Sequence, residues 1–204
     1  MGTRRSPGNY GLKNDYVARA ETRFLQKALI PDDGGWLAST VGDNVNGHLD
    51  VTGVLPGNNI LTLWRMPDRN KNVTAAQVRL SVAAASASTL AEVAVYNYEG
   101  QAFTRVPNTK AFLSTASTGL KTVTLATPAL LLKDANLFIG VVCRNAAVAL
   151  EGFQSGTGTR VVRGRTRTEA GALQSRYPLA NFAVTTTQDV PFIAYLSRDA
   201  AIVL

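Results

Sequence analysis

From about residue 50 onward, apolar and polar positions alternate with the two-residue period of a β-strand. QVRLSVA (77–83) sets Val78, Leu80 and Val82 on one side and Gln77, Arg79 and Ser81 on the other. ILTLWRM (60–66) alternates in the same way, and EVAVYNY (92–98) puts Tyr96 and Tyr98 on one face. The stretch NYEG (97–100) predicts a turn. GLKTVTLA (119–126) turns Val123 and Leu125 inward and Thr122 and Thr124 outward. LFIGVVC (137–143) has no polar alternation, which suits a central strand covered on both faces. ALEGF (149–153), RVVRG (160–164) and PFIAYLS (191–197, with Pro191 at its start) complete the set.

About eight strands follow from this pattern, with no helical stretch between them to build β-α-β units. The economical fold is all-β: an antiparallel, jelly-roll-like β-sandwich. Its expected core is Val78, Leu80, Val82, Val93, Val95, Leu125, Ile139 and Val141.

The first 45 residues follow a different pattern. MGTRRSPGNYGLK (1–13) is an aperiodic, glycine- and arginine-containing stretch. Residues 14–30 predict a helix, with Asn14 or Asp15 as N-cap and Pro31 as the stop. Val17, Ala20, Phe24 and Ala28 share a narrow apolar face, while Arg19, Arg23 and Lys27 form a basic stripe. So narrow a face calls for a docking partner. The reading is an extended and partly helical N-terminal anchoring arm over residues 1–45, followed by the β-sandwich over residues 46–204.

Composition narrows the chemistry. Charged residues are only 17% of 204, and the net charge is +7. The first 30 residues carry net +4, with Arg4 and Arg5 joining the helical stripe, and this points the arm at an acidic surface. No apolar run reaches the roughly 18 residues that a membrane-spanning helix needs, so no membrane partner is expected. With one Cys (Cys143) and one His (His48), neither an internal disulfide nor a Cys/His zinc site can be assembled from the chain, and no cofactor is expected.

Catalytic motifs are scarce. His48 lacks a G-x-S-x-G partner for a triad, and Cys143 closes an apolar strand as a core thiol would. Glu92 and Glu151 are the acids nearest to strand centres and form the single carboxylate pair a glycoside hydrolase could use. SGTGTR (155–160) lacks the G-K-[ST] of a phosphate loop. Arg163, Arg165 and Arg167 stand at spacing two, so an extended chain brings them to one side. They are either a solvated edge strand, where like charge discourages stray pairing, or a contact to a neighbouring chain or an anionic glycan. Neither interleaved base-stacking aromatics nor a helix-turn-helix accompanies the charge, which disfavours nucleic acid.

The segments 75–103, 117–143 and 173–197 carry a resemblance. Their strand pair ending in AVYN, their TGLKTVTL strand with the apolar strand that follows, and their PLA turn before a final strand entered through proline are the features involved. Together they resemble the C-terminal β-sandwich module of tail-fibre and other virion appendage proteins of tailed bacteriophages, over roughly residues 60–198. The resemblance implies a non-enzymatic virion component: a tail fibre, an adaptor or a capsid protrusion. It also implies assembly with other virion proteins as a homo-oligomer, a trimer being favoured, and a possible role in host attachment through a surface glycan. Arg4, Arg5, Arg19, Arg23, Lys27, Arg163, Arg165 and Arg167 are then the expected contact residues. Two readings from other classes stand beside it. One is a glycan-binding module in which Tyr96, Tyr98 and Tyr177 stack on sugars; the other is a glycoside hydrolase or esterase.

Overall fold

A computed structural model of the chain describes residues 36–39, 50–54, 58–66, 72–86, 90–145, 147–154, 162–187, 189–191 and 193–196. The predicted helix at 14–30 and the basic residues of the arm lie outside them. Among the described residues, fifteen strands form two antiparallel sheets. Sheet I contains β1 (Trp36–Ser39), β2 (Asp50–Val54), β4 (Val73–Ala84), β8 (Gly119–Leu131), β10 (Ala149–Gln154), β14 (Asp189–Pro191) and β15 (Ile193–Leu196). Sheet II contains β3 (Ile60–Arg65), β5 (Leu90–Glu99), β6 (Ala102–Arg105), β7 (Ala111–Ser114), β9 (Leu137–Cys143), β11 (Val162–Thr168), β12 (Arg176–Pro178) and β13 (Ala183–Thr187). The all-β expectation holds; β4, β5 and β8 run longer than hydrophobic alternation alone marks out, and further short strands join them. Strand β1 pairs with β15, so the sandwich includes residues that a boundary at residue 45 gives to the arm.

The facing sides of the sheets make one core. Val78, Leu80, Val82, Val93, Val95, Leu125, Ile139 and Val141 all lie buried in it. Sheet II has a second apolar face. Leu61, Leu63, Ala94, Tyr96, Phe103 and Val142 point away from sheet I and form their own cluster with Leu173, Tyr177 and Phe182. Strand β9 therefore contributes to both cores, Ile139 and Val141 to one and Val142 to the other, as its unbroken apolar run predicts. Strand β3 departs from one-sided alternation for the same reason: Leu61 and Leu63 enter the second core, Trp64 and Met66 the first. Gly140 makes room between them. A Cβ there would stand 2.6 Å from Leu63 Cδ2 and 3.3 Å from Tyr96 Cε2.

Sheet II is curled. Its strand order runs β12-β6-β5-β9-β3-β11-β13, so β12 and β13 lie at opposite ends. Laid flat, the six spacings would separate them by about 29 Å. Yet only Leu179–Asn181, a single 3-10 turn, and Phe182 join them, a link that reaches at most about 18 Å. The sheet must roll to bring its ends together. Leu179 and Phe182 pack on the second cluster, so the roll is toward that face.

Local chemistry fixes the strand ends. The β5–β6 turn is centred on Gly100 and Gln101, at φ 55° and 61°, the left-handed pair of a two-residue type I′ hairpin. Strand β5 thus continues through Asn97–Glu99, where composition suggested the turn. One edge of β5 is shared by β6 and β7, leaving Val95 between them. The buried Thr109 hydroxyl fills the gap, accepting from Val95 N at 3.1 Å and donating to Val106 O at 2.7 Å. Tyr195 crosses from sheet I to the same loop, its hydroxyl donating to Thr109 O at 2.9 Å.

Ile139 sits at 0% exposure between the sheets, so Ile139→Ala should cost about 2–5 kcal/mol in urea unfolding. A loss below about 0.5 kcal/mol would place it outside the core.

Candidate functional site

The second face of sheet II gathers most of the ionisable and aromatic side chains that the fold brings together. Segment 169–175 and strand β12 run back over it as a strap, which must be held there. Glu92 does the holding. It lies on β5 with its carboxylate almost wholly buried, directed toward the strap. Arg144, the residue after β9, donates to Glu92 Oε1 from Nε at 3.2 Å and from Nη2 at 2.5 Å. Lys110 Nζ is 3.2 Å from Oε2, and Leu173 N donates to Oε2 at 3.0 Å. The same guanidinium donates to the carbonyl oxygens of Glu169 and Gly171 and to Asn59 Oδ1. One arginine therefore joins β5 to both the start of β3 and the strap.

Burial by itself pushes the Glu92 carboxyl up. The hydrogen bonds from Arg144, Leu173 N–H and Lys110 together outweigh it, and hold the group below the usual glutamate range. It is a fixed carboxylate, unsuited to donating a proton near neutral pH. Glu151, its proposed catalytic partner, is on β10 of the other sheet.

The strap is closed by aromatic packing. Tyr177 lies 5.6 Å from Tyr96 and 5.8 Å from Phe182, and Phe182 lies 5.1 Å from Phe103. Gln174 N donates to the Tyr177 hydroxyl at 2.8 Å, and the Tyr96 hydroxyl donates to Gln174 O at 3.2 Å. Burial pushes the Tyr177 phenol up to about 12. Tyr96 and Tyr177 are fully buried, so neither can stack on a sugar from solvent. Tyr98 alone of the three keeps an accessible surface.

The arginine run is placed by register. Strand β11 pairs with β3 on one side and β13 on the other, so it is not an edge strand. The solvated-edge reading is overturned: the chain returns through Phe182 to cover that edge with β13. Arg167 stands opposite Leu61 and Arg165 opposite Leu63, both on the second face. Arg167 is drawn into the structure, its guanidinium 4.8 Å from the Tyr177 ring centre and 3.6 Å from Glu169 Oε2. The Arg165 side chain is half-buried. The backbone of Arg163 pairs with that of Thr186. Arg4, Arg5, Arg19, Arg23 and Lys27 lie outside the described residues, as does His48.

Sequence reading missed Arg144, Lys110 and Arg65. Arg144 and Lys110 stand alone in loops, and nothing local marks them as partners of Glu92. Arg65 does carry a signal, because it extends the Leu61, Leu63 alternation onto the second face. Cys143 is buried in the first core, and burial pushes its thiol up to about 12, the property of an inert core residue. Among the described residues no group of three or more His, Cys, Asp or Glu side chains is placed to hold a metal ion. No protein-family model matches the chain, and no curated protein matches it in sequence.

Two outcomes follow. Because Glu92 is held low, its contribution to stability is complete above the ordinary glutamate value and is lost as pH falls through its folded value. Denaturant titrations from pH 6 to pH 3 should therefore show a steeper loss for the parent than for Glu92→Gln, which should be about 1.5–3 kcal/mol less stable at pH 6. Parallel profiles would remove Glu92 from its role. Native Cys143 should resist iodoacetamide at pH 8 and react fully in urea; rapid native labelling would contradict its burial.

Proposed function

We propose that this chain is a non-enzymatic structural component of a tailed-bacteriophage virion: a tail fibre, an adaptor or a capsid-attached protrusion. Its N-terminal arm docks on the particle through Arg4, Arg5, Arg19, Arg23 and Lys27, and the β-sandwich projects outward. The observation that carries the reading is the use of Glu92. Among the described residues, the most buried acid on a strand serves architecture, tying a strap across a sheet, where a hydrolase would direct such a group at a substrate. The two-sheet antiparallel fold agrees with the appendage module that the strand pattern resembles.

Assembly as a homo-oligomer, with a trimer favoured, belongs to the same proposal. Leu120, Leu130 and Leu132, along and just after β8, are each about half exposed and offer apolar surface to a neighbouring chain. No helix among the described residues is long and apolar enough to cross a membrane.

Gradient-purified virions of the phage that encodes the chain should contain it, and antibody to the sandwich should label intact particles in electron micrographs. Full-length protein bearing Arg19→Glu, Arg23→Glu and Lys27→Glu should fold but fail to incorporate. Absence of the parent chain from purified virions would overturn the proposal; normal incorporation of the charge-reversed protein would overturn the arm's role.

A further inference from the structure

Among the described residues two carboxylates are buried, Glu92 at 6% exposure and Glu169 at 4%, and both stand where segment 169–175 crosses the second face of sheet II. Cations face them from several elements. Lys110, before β7, lies 3.2 Å from Glu92 Oε2, and Arg144, after β9, bonds Glu92 Oε1. Arg167 on β11 lies 3.6 Å from Glu169 Oε2, with Arg165 two residues before it on the same strand. Arg105, at the end of β6, donates from Nη1 to Leu173 O at 2.7 Å. The phenols of Tyr96 and Tyr177 complete the surroundings; burial pushes both up, so neither ionises in the neutral or acid range. Two carboxylates therefore balance Lys110, Arg105, Arg144 and Arg167, and with both protonated these cations keep no counter-charge in the cluster.

We propose that the middle of this segment, 170–173, is an acid-released flap: protonation of Glu92 and Glu169 lifts it from sheet II while the sandwich and β12 stay folded. Near neutral pH it belongs to the core. This goes beyond a structural role by giving the domain a surface that changes with pH, and it does not depend on where the chain is assembled.

The way the segment is held supports the assignment. Within 169–175 only Glu169 and Leu173 are buried, and the other five residues are exposed. Its middle is attached through charge: Leu173 N–H to Glu92, the Glu169 and Gly171 carbonyls to Arg144, and the Leu173 carbonyl to Arg105. The flanks are held by neutral groups. Glu169 N donates to Asn59 O at 2.7 Å, and Gln174 bonds the hydroxyls of Tyr96 and Tyr177. Beyond them β11 is paired on both sides and β12 pairs with β6. Linkage sets the direction of the switch. The closed flap needs ionised carboxylates and the open flap returns them to water, so the open form binds more protons and gains as pH falls. Glu92 is held low when the flap is closed, which puts opening below the usual glutamate range. Opening uncovers Val142, paired with Glu92 across β5 and β9, and Leu61, paired with Arg167, both packed in one cluster with Leu173.

Hydrogen exchange of the full-length protein, stepped from pH 7 to pH 3 and expressed as protection factors, tests the flap. At pH 7 the Leu173 amide should be protected as well as that of Ile139. At pH 3 its protection should fall at least about a hundredfold below that of Ile139. Leu179, whose N–H donates to Gln101 O at the β12 end of the strap, should stay protected with Ile139. Glu92→Gln with Glu169→Gln should show low Leu173 protection already at pH 7 and little further change on acidification. Glu151→Gln, on β10 of the other sheet, should respond like the parent. Should the double variant fail to fold, the parent series decides alone. Leu173 protection that persists at pH 3 would overturn the proposal. So would loss of protection at Leu173, Leu179 and Ile139 together, which would make acid a global denaturant. Neither result bears on whether the chain is found in virions, which the particle experiment reads separately.

Discussion

Sheet II is apolar on both of its faces, and that requirement shapes the rest of the molecule. One face is covered by sheet I. The other carries Leu61, Leu63, Tyr96, Phe103 and Val142, which would otherwise meet water. Burying side chains of this size contributes roughly 1.5–3 kcal/mol each, so the fold needs a second cover. It uses its own chain. Segment 169–175, β12 and the short link to β13 close over the face, and the shortness of that link obliges the sheet to curl.

A strap needs an anchor that hydrophobic contact alone does not specify. Glu92 provides it, because its carboxylate accepts Leu173 N–H directly and reaches Glu169 and Gly171 through Arg144. A buried carboxylate is costly unless its lone pairs are satisfied, and here both oxygens are engaged by a cation and, at Oε2, also by a backbone N–H. At the other side of the strap, Arg167 lies over Tyr177 and Phe182. The charged groups at the strap, Glu92 and Glu169 with Arg144, Lys110 and Arg167, are thereby paired among themselves.

Much of the sandwich was legible in the sequence because one-sided alternation reports one-sided burial. Val78, Leu80 and Val82 read correctly on that basis, and the unbroken run at 137–143 correctly announced a strand covered twice. The second cover itself was not legible. Strand β11, VRGRTRT, shows no apolar alternation although it lies inside a sheet, since arginine stems and strap aromatics supply the packing there. Strands β6, β7 and β12 are three or four residues long, too short for a period to emerge. The Glu92–Arg144 pair joins residues 52 positions apart, a contact that only the pairing of β5 with β9 creates.

The central claim is that the strap over sheet II is as much a part of the folded core as the strands beneath it. Native-state hydrogen exchange at the Leu173 amide tests it most directly, because that N–H is bonded to the buried Glu92 carboxylate. The account predicts that Leu173 exchanges only through global unfolding, with a free energy and a denaturant dependence matching those of Ile139 in β9. Exchange of Leu173 at a rate independent of denaturant, several orders of magnitude faster than Ile139, would show a loop resting on a sheet that is stable without it.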